Sequence, residues 1–326
     1  MMPTKTASWI AICGIAVCTF AQEPTFRTRS NVVTVPTLVK DEKGEAVYGL
    51  EARDFLIEDD GVRETVRLDE AVEAQPVSLV VVLQVGRRAS REFSRMRGLG
   101  AMLNPVLSQR GSQVALVEFD SKVEPVRDFT TNALQIESDL GRLQPGDGGA
   151  AILDALEYSV RLLERVPSPR RRVLLLISET RDHGSHIARI KDVVAEVGNS
   201  STLVYALPFS PSLSQVLDTE RGSNRDEWSG SPDLLAPLVM ASQAMRNNTA
   251  NAVARMTGGE YEMFSSRKSF ERLMVAFTNH LHSRYLLSFE PSRPHPGLHE
   301  IRVRVRDPGK NTVLARTSYW AEGTNP

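Results

Sequence analysis

The six histidines of this chain are the first candidates for acid–base or metal chemistry: His183, His186, His280, His282, His295 and His299. None of them belongs to a His-Glu-x-x-His sequence, the helical pattern that binds zinc in metalloproteases. His280 and His282 would lie about 200° apart on a helix, so they cannot share one ion there. We expect both at the end of a helix, where a cation is favoured. The histidine spacing therefore predicts no enzyme and no metal centre.

Other catalytic and nucleotide-binding motifs are also missing from the sequence. It contains no Gly-x-Ser-x-Gly elbow, no Walker A loop and no Gly-x-Gly-x-x-Gly. A Ser–His–Asp site assembled across the fold is the open alternative, and it would make the protein a cryptic hydrolase. The residues themselves favour a non-catalytic protein without a cofactor.

The composition is that of a globular protein with balanced charge. Of 326 residues, 41% are apolar and 24% are charged, which excludes collagen-like, coiled-coil and disordered classes. The 39 Lys and Arg residues against 40 Asp and Glu residues argue against a nucleic-acid partner. The arginine triplet at 170–172 precedes an apolar run and is interpreted as an exposed turn.

The first 21 residues have the pattern of a secretory signal peptide. Lys5 is followed by an apolar run over residues 9–20 and then by Ala21, where we expect cleavage. The run is too short for a stable membrane span. Both cysteines, Cys13 and Cys18, lie in this segment, so the mature chain would carry no thiol. We expect an exported protein that is periplasmic or extracellular after cleavage.

Hydrophobic periodicity divides the rest of the chain into three zones. Residues 22–75 show the short alternating runs of half-buried strands. Residues 76–284 alternate strand and helix patterns, as in a doubly wound, mostly parallel α/β sheet. Residues 285–326 again predict strands, too few to form a core alone. We therefore expect the α/β domain to be inserted in a β-sandwich in which 285–326 pairs with 22–75.

Within these zones the patterns predict individual elements. The predicted strands lie at 31–40, 47–50, 55–58, 62–68, 79–83, 114–119, 172–178, 202–207, 285–289, 299–306 and 313–319. The predicted helices lie at 91–108, 133–142, 151–165, 187–197, 253–256 and 270–281. Residues 210–248, rich in Ser, Pro, Gly, Asp and Arg, predict a flexible insertion.

The order and spacing of six segments resemble those of bacterial VWFA-related proteins, in which a von Willebrand factor A (VWA) domain lies between β segments. The segments that carry the resemblance are 47–61, 80–84, 114–119, 148–156, 173–178 and 256–259. The resemblance covers nearly the whole mature sequence. It implies a VWA-like sheet in the middle zone, with loops at its carboxyl edge forming the binding surface.

The resemblance also implies where a metal would be bound. VWA domains usually hold Mg²⁺ or Mn²⁺ at a metal-ion-dependent adhesion site, formed by an Asp-x-Ser-x-Ser motif, a Thr and a later Asp. In this sequence those positions carry Gln84, Gly86, Arg88, Ala150 and Glu179. Gly86 and Ala150 have no side-chain oxygen, and Arg88 brings a positive charge to the place of the cation. The resemblance therefore implies a degenerate site that holds no metal.

The two adjacent arginines suggest a substitute for the ion. Arg88 would fill the metal position and pair with Glu179, since a charge-assisted Arg–carboxylate pair is stronger than a neutral hydrogen bond. Arg87 would then face outward and accept a carboxylate from a partner. The other interpretation is that both arginines point into water. A double-mutant cycle on Arg88 and Glu179 separates the two, because additive stability losses would mean no pairing.

The sequence as a whole predicts an exported, non-catalytic module for protein–protein recognition. Binding would be independent of metal and would use the loops at 84–90, 146–150 and 179–185. One alternative is a metal-dependent adhesin, with a site rebuilt from Asp147, Asp182 and His183. A second is a structural subunit that binds through other faces, and a third is the cryptic hydrolase.

Overall fold

The computed structural model describes residues 32–69, 75–87, 89–167, 169–209 and 236–322. The expected signal peptide, Arg88 and residues 210–235 lie outside the described residues. The strands are β1 Val33–Lys40, β2 Phe55–Asp59, β3 Val62–Glu64, β4 Arg67–Asp69, β5 Val77–Gln84, β6 Gln113–Phe119, β7 Val123–Thr130, β8 Arg171–Ile177, β9 Leu203–Ala206, β10 Tyr285–Phe289, β11 Gly297–Val305, β12 Thr312–Ala315 and β13 Ser318–Ala321. The α-helices are α1 Leu99–Met102, α2 Asn104–Leu107, α3 Ala133–Leu140, α4 Ile152–Glu164, α5 Ile190–Asn199, α6 Ala236–Asn247, α7 Thr249–Thr257 and α8 Arg267–His282.

A mostly parallel sheet with the strand order β7-β6-β5-β8-β9 forms the centre of the α/β part. Strand β5 pairs in parallel with β6 and β8, and every one of its eight residues is buried. Burial on both faces explains its unbroken apolar run, because helices cover parallel sheets on each side. One face packs against α4, α5 and α7, and the other against α1, α3 and α8. The predicted doubly wound α/β sheet is confirmed.

Two antiparallel sheets, each with strands from both ends of the described chain, form the β-sandwich. Their orders are β12-β1-β10-β4 and β13-β11-β2-β3. Strand β1 pairs with β10 and β12, and β2 pairs with β11. In β11 the apolar Ile301 and Val305 are buried while Arg302 and Arg304 are exposed, as strict alternation predicts. The N-terminal and C-terminal segments therefore share one core, as expected for an inserted α/β unit.

Two predictions for the β segments were wrong. Residues 47–50 form no strand, and a short 3₁₀ helix, Ala52–Asp54, follows them. The strand expected at 62–68 is two strands, β3 and β4, which belong to different sheets. An extended apolar segment without a ladder partner cannot be distinguished from a strand by its sequence alone.

Two further differences lie in the α/β part. The single helix predicted at 91–108 is a 3₁₀ helix, Ala89–Met96, followed by α1 and α2. Gly98, with φ of 83°, and Pro105 interrupt it, because neither suits the interior of a helix. Within the insertion expected at 210–248, residues 236–247 form α6. No helix among the described residues is long and apolar enough to cross a membrane.

A buried network of ionic and polar contacts joins the sandwich to the α/β part. Glu260, 8% exposed, follows α7 and contacts Lys40 of β1, with 3.1 Å between Oε2 and Nζ. Its Oε1 lies 3.0 Å from His280 Nδ1 and 3.5 Å from Arg284 Nη2. The other ring nitrogen of His280 lies 3.1 Å from the carbonyl oxygen of Gly44. The segment 40–44 is therefore fixed to the last turn of α8, where both His280 and His282 lie, as predicted.

Candidate functional site

The carboxyl ends of β5 and β8 lie side by side, and the loops that follow them form one surface. We call residues 84–87, 146–151 and 179–187 the top-of-sheet loops. The buried carboxamide of Gln84 connects all three: its Oε1 accepts the N–H of Glu179 at 2.8 Å, and its Nε2 donates to the Gly149 carbonyl at 3.4 Å. Gln84 therefore holds the loops together at the position where a metal-binding aspartate is expected.

Gly86 allows the loop at 146–149 to approach the end of β5 closely. A Cβ atom at Gly86 would lie 2.8 Å from the Gly149 carbonyl oxygen and 3.2 Å from that of Asp147. The backbone N–H of Arg87 donates to the Asp147 carbonyl at 2.6 Å. A serine here, as in the motif, would collide with backbone atoms unless the loop moved. The glycine is therefore required for the observed closure.

Glu179 and Ala150 are joined through His183. Ala150 is fully buried and forms an antiparallel bridge with His183, whose N–H donates to the Ala150 carbonyl at 3.0 Å. The His183 ring Nε2 lies 2.8 Å from Glu179 Oε2. The other carboxylate oxygen, Oε1, is buried without a hydrogen-bond partner among the described residues. Within the part of the chain that the structure describes, His183 is therefore the side-chain partner that holds the Glu179 carboxylate.

The turn between β6 and β7 also contributes to this surface, which the sequence analysis did not predict. Asp147 accepts hydrogen bonds from the hydroxyl and the N–H of Ser121 and from the N–H of Gly149. These bonds, the Ser121 hydroxyl first, lower the pKa of the Asp147 carboxyl. Asp120 in turn accepts the N–H of Asp147 at 3.0 Å. The signal available in the sequence was the polar Asp-Ser-Lys turn at 120–122 after a buried strand.

Two carboxylates connect the loop after β8 to the start of α4: Asp182 in the loop and Asp154 in the first turn of the helix. Asp182 Oδ1 accepts the N–H of Leu153 at 3.0 Å and the hydroxyl of Ser185 at 2.5 Å. The buried Asp154 accepts the N–H of Ala188 at 2.7 Å. A carboxylate near the first turn of a helix is stabilised by the free N–H groups there. Asp182 therefore acts locally as a helix cap.

The residues at these positions do not fit Mg²⁺. Gly86 and Ala150 provide no side-chain oxygen, and Gln84 Oε1 already accepts the N–H of Glu179. Among the described residues of this surface, Glu179 Oε1 is the one buried side-chain oxygen without a hydrogen-bond partner, whereas Mg²⁺ in proteins is bound through one or two carboxylates with further oxygen ligands in near-octahedral geometry. In the described part of the chain, Asp147, Asp182 and His183 do not form a group with ligand atoms within 4.8 Å of one another. The pairing of Arg88 with Glu179 stays a prediction, since Arg88 lies outside the described residues.

The outer side of the top-of-sheet loops is open to solvent and chemically mixed. Arg87, Asp147 and Arg181 are exposed. Ile187 is 80% exposed, and its backbone N–H donates to the Asp154 carboxylate. The exposed side of these loops therefore combines one apolar side chain with charges of both signs.

We expect Gln84→Ala to lower the free energy of unfolding by about 1–3 kcal/mol, because it leaves the buried N–H of Glu179 without its acceptor. Hydrogen exchange should also quicken at 146–150 and at 179, which lose their common bond. The matched control is Gln144→Ala, an exposed glutamine of the neighbouring loop, with a change within about 0.5 kcal/mol. Equal effects of the two variants would contradict the bridging role of Gln84.

Comparison with known proteins finds one family model and several solved structures to which parts of this chain are similar. Residues 83–181 match the family model of the von Willebrand factor type A domain. The solved structures with similar folds include a von Willebrand factor type A protein from Catenulispora acidiphila, with 11% identity and a TM-score of 0.46 over 92% of this chain and 76% of that one. BatB from Bacteroides thetaiotaomicron has 11% identity and a TM-score of 0.43 over 63% of this chain and 98% of that chain. Proximal thread matrix protein 1 from the mussel byssus has 14% identity and a TM-score of 0.43 over 68% and 49%.

The comparison with curated proteins gives no match. The family match runs from the last two residues of β5 to the loop after β8, so it includes the top-of-sheet loops as far as residue 181. The chain therefore contains a VWA-like domain, and this domain is mixed α/β with a mostly parallel sheet. The family resemblance seen in the sequence and the observed α/β sheet both indicate a VWA-like domain.

Proposed function

We propose that the protein is an exported, non-catalytic recognition module that binds a protein partner through its top-of-sheet loops without a metal ion. The observation that carries the proposal is the cross-linking of these loops by Gln84, at the position where VWA domains place a metal ligand. Export rests on the N-terminal pattern of residues 1–21.

The loops form a preorganised surface rather than a set of flexible segments. Gln84 bonds to two loops, the Ala150–His183 bridge joins them, and Asp147 ties the β6–β7 turn to the 146–151 loop. A surface that is ordered before binding loses less conformational entropy when a partner arrives. This arrangement supports recognition by the loops themselves.

Two exposed side chains give the surface its chemistry. Ile187 offers an apolar anchor, and Arg87 offers a planar donor for a carboxylate. The complement is a protein surface with an apolar pocket beside an acidic residue. In a metal-bridged contact the ion binds a carboxylate of the partner. Here the Arg87 guanidinium would bind that carboxylate instead of the ion.

The histidines give little support to catalysis. His183, His280, His295 and His299 each face a carboxylate, and His186 faces a backbone carbonyl. A serine hydrolase needs a histidine that faces a serine hydroxyl on one side and a carboxylate on the other. The hydrogen bonds of these five rings go to carboxylates and backbone carbonyls and not to a serine hydroxyl, which favours a non-catalytic role.

Immobilised full-length protein should capture its partner from the native cell extract in the presence of a chelator. We expect Arg87→Glu and Ile187→Asp each to weaken capture at least about tenfold, since central anchors cost more than about 1.4 kcal/mol when lost. The matched control is Val275→Asp on α8, which is also exposed but lies outside the top-of-sheet loops.

Two results would overturn the proposal. If capture persists in both loop variants but fails in Val275→Asp, the protein binds through another face and acts as a structural subunit. If the chelator abolishes capture and added Mg²⁺ restores it, the metal-dependent adhesin is the better description. Titration of Mg²⁺ and Ca²⁺ into metal-stripped protein, with no saturable heat expected, checks the second result independently.

A further inference from the structure

A second group of ionisable side chains lies in the β-sandwich, outside the top-of-sheet loops. Asp60 occupies the tight turn between β2 and β3, His295 lies between β10 and β11, and His299 belongs to β11. His299 Nδ1 is 2.8 Å from Asp60 Oδ2, and His295 Nε2 is 3.0 Å from the same oxygen. In the described part of the chain, this is the group of three potential metal ligands whose ligand atoms lie within 4.8 Å of one another.

The outer nitrogens of both rings face backbone carbonyls. His299 Nε2 lies 2.8 Å from the His295 carbonyl oxygen, and His295 Nδ1 lies 3.3 Å from that of Pro296. A carbonyl oxygen only accepts hydrogen bonds, so each outer nitrogen carries the proton. Metal-binding histidines are almost always oriented in this way, with the second nitrogen donating to a carbonyl or a carboxylate. The two inner nitrogens are thereby directed towards Asp60. Burial lowers the pKa of His299, but its hydrogen bonds to Asp59 and Asp60 outweigh burial and raise the pKa to about 10, so a metal ion that binds here displaces the Nδ1 proton.

The carboxylate and the surrounding residues are positioned as well. Asp60 Oδ1 accepts the N–H of Glu300 at 2.9 Å, which leaves Oδ2 to face the rings. Asp59 Oδ1 lies 3.2 Å from His299 Nδ1, and its other oxygen accepts the Tyr319 hydroxyl at 2.9 Å. His299 is fully buried, whereas Asp60 and His295 are partly exposed, so an ion has a route from solvent.

We infer that Asp60, His295 and His299 form a binding site for a transition-metal cation of the zinc class, with water in the fourth position. Two imidazole nitrogens and a carboxylate suit Zn²⁺, while Mg²⁺ and Ca²⁺ prefer oxygen ligands throughout. The ligands of a tetrahedral zinc ion lie about 3.3 Å apart, given bond lengths of about 2.0–2.1 Å. The observed nitrogen–oxygen distances of 2.8 and 3.0 Å therefore need to widen by only about half an ångström.

The two rings must also tilt to admit the ion. They are stacked, with centroids 3.8 Å apart and planes inclined by 16°, so their in-plane lone pairs run nearly parallel. Binding would rotate the partly exposed His295, which is the less confined of the two rings. The ion would join the β2–β3 turn to the β10–β11 segment and so link the N-terminal and C-terminal parts of the sandwich.

Titration of Zn²⁺ into the metal-stripped full chain tests this inference, with competition against a chromophoric chelator as the readout. We expect one saturable site in the wild type. In Asp60→Asn and His295→Gln, the affinity for Zn²⁺ should fall more than about 100-fold. Loss of a residue that only hydrogen-bonds to a metal ligand already costs about 10–100-fold, and these two variants change a ligand itself. Asn suits the left-handed backbone of position 60, where φ is 47°, so this variant should keep the fold.

The matched control is His183→Gln, which removes a half-exposed histidine of the top-of-sheet loops and should leave Zn²⁺ affinity unchanged. Substitution with Co²⁺ should give the intense visible absorption of a tetrahedral nitrogen and oxygen site in the wild type and in the control. Circular dichroism verifies the fold of each variant, and if Asp60→Asn is unfolded, His295→Gln alone decides. The inference is overturned if the wild type shows no saturable binding, or if binding survives in His295→Gln, or if it is lost in His183→Gln.

Discussion

Replacing Glu260 by alanine is expected to lower the free energy of unfolding by about 3–5 kcal/mol, the usual cost of removing one partner from a buried ion pair. The carboxylate faces Lys40, Arg284 and His280, all of them largely buried. Without it, the ammonium and the guanidinium would lie in the interior without a counter-charge. The substitution would weaken the contact between β1 and the end of α8, where these side chains meet.

Chemical denaturation followed by circular dichroism measures this effect. The matched control is Glu262→Ala, two residues further on, because the Glu262 side chain is exposed; its change should stay within about 0.5 kcal/mol. Lys40→Ala combined with Glu260→Ala should destabilise less than the sum of the single variants, since the two groups are in contact. A loss below about 1 kcal/mol in Glu260→Ala would contradict the role of the network.

The same network predicts a loss of stability in acid. Burial raises the pKa of Glu260, but the His280 hydrogen bond and the charges of Arg284 and Lys40 outweigh it and lower the value to about 2. A carboxyl with a depressed folded pKa stabilises the protein above its unfolded pKa and loses that contribution as pH falls. The contribution, about 3 kcal/mol, should disappear between pH 4.5 and 2, while Glu260→Gln should lack this part of the acid transition.

The sequence was sufficient to predict the layout of the fold. The unbroken apolar run of β5 required a strand covered on both faces, and the alternation in β11 required one buried face. The strands at either end of the chain are too few to form a core alone. This was the reason to predict one β-sandwich that both ends share. The strand predicted at 47–50 was wrong because a strand needs a partner along its length, and here Val47 donates one hydrogen bond to Val39 without a ladder continuing along 48–50.

The candidate site could be predicted only in part. That Gln84 lies beside Glu179 follows from the shared carboxyl edge of β5 and β8. That its amide also reaches Gly149 depends on loop conformation, which no periodicity encodes. The cluster around Asp60 was missed because its histidines are 235 residues or more away in the chain, and the sequence gives no sign of which turn meets which strand.

Gly259→Ala is expected to destabilise the protein by about 3 kcal/mol or more, at the upper end of the cost of overpacking. A Cβ atom at this position would collide with the carbonyl oxygen of Val204 in β9. The collision could not be relieved by rotating a side chain, since the oxygen is a backbone atom. The two segments are also held together, because residues 259–262 run alongside β9 and Glu260 and Glu262 exchange hydrogen bonds with Ala206. Relief of the collision would have to move this segment and, with it, Glu260 out of its ionic network.

The matched control is Gly148→Ala in the top-of-sheet loops, where a Cβ atom would meet nothing within 4 Å and the backbone is not left-handed. Its change should be near zero or slightly stabilising, since alanine reduces the freedom of the unfolded chain. Thermal and denaturant melts of the two variants give the comparison. Equal stability of the two would mean that the segment after α7 does not pass this close to β9, and the position assigned to Glu260 would then be wrong as well.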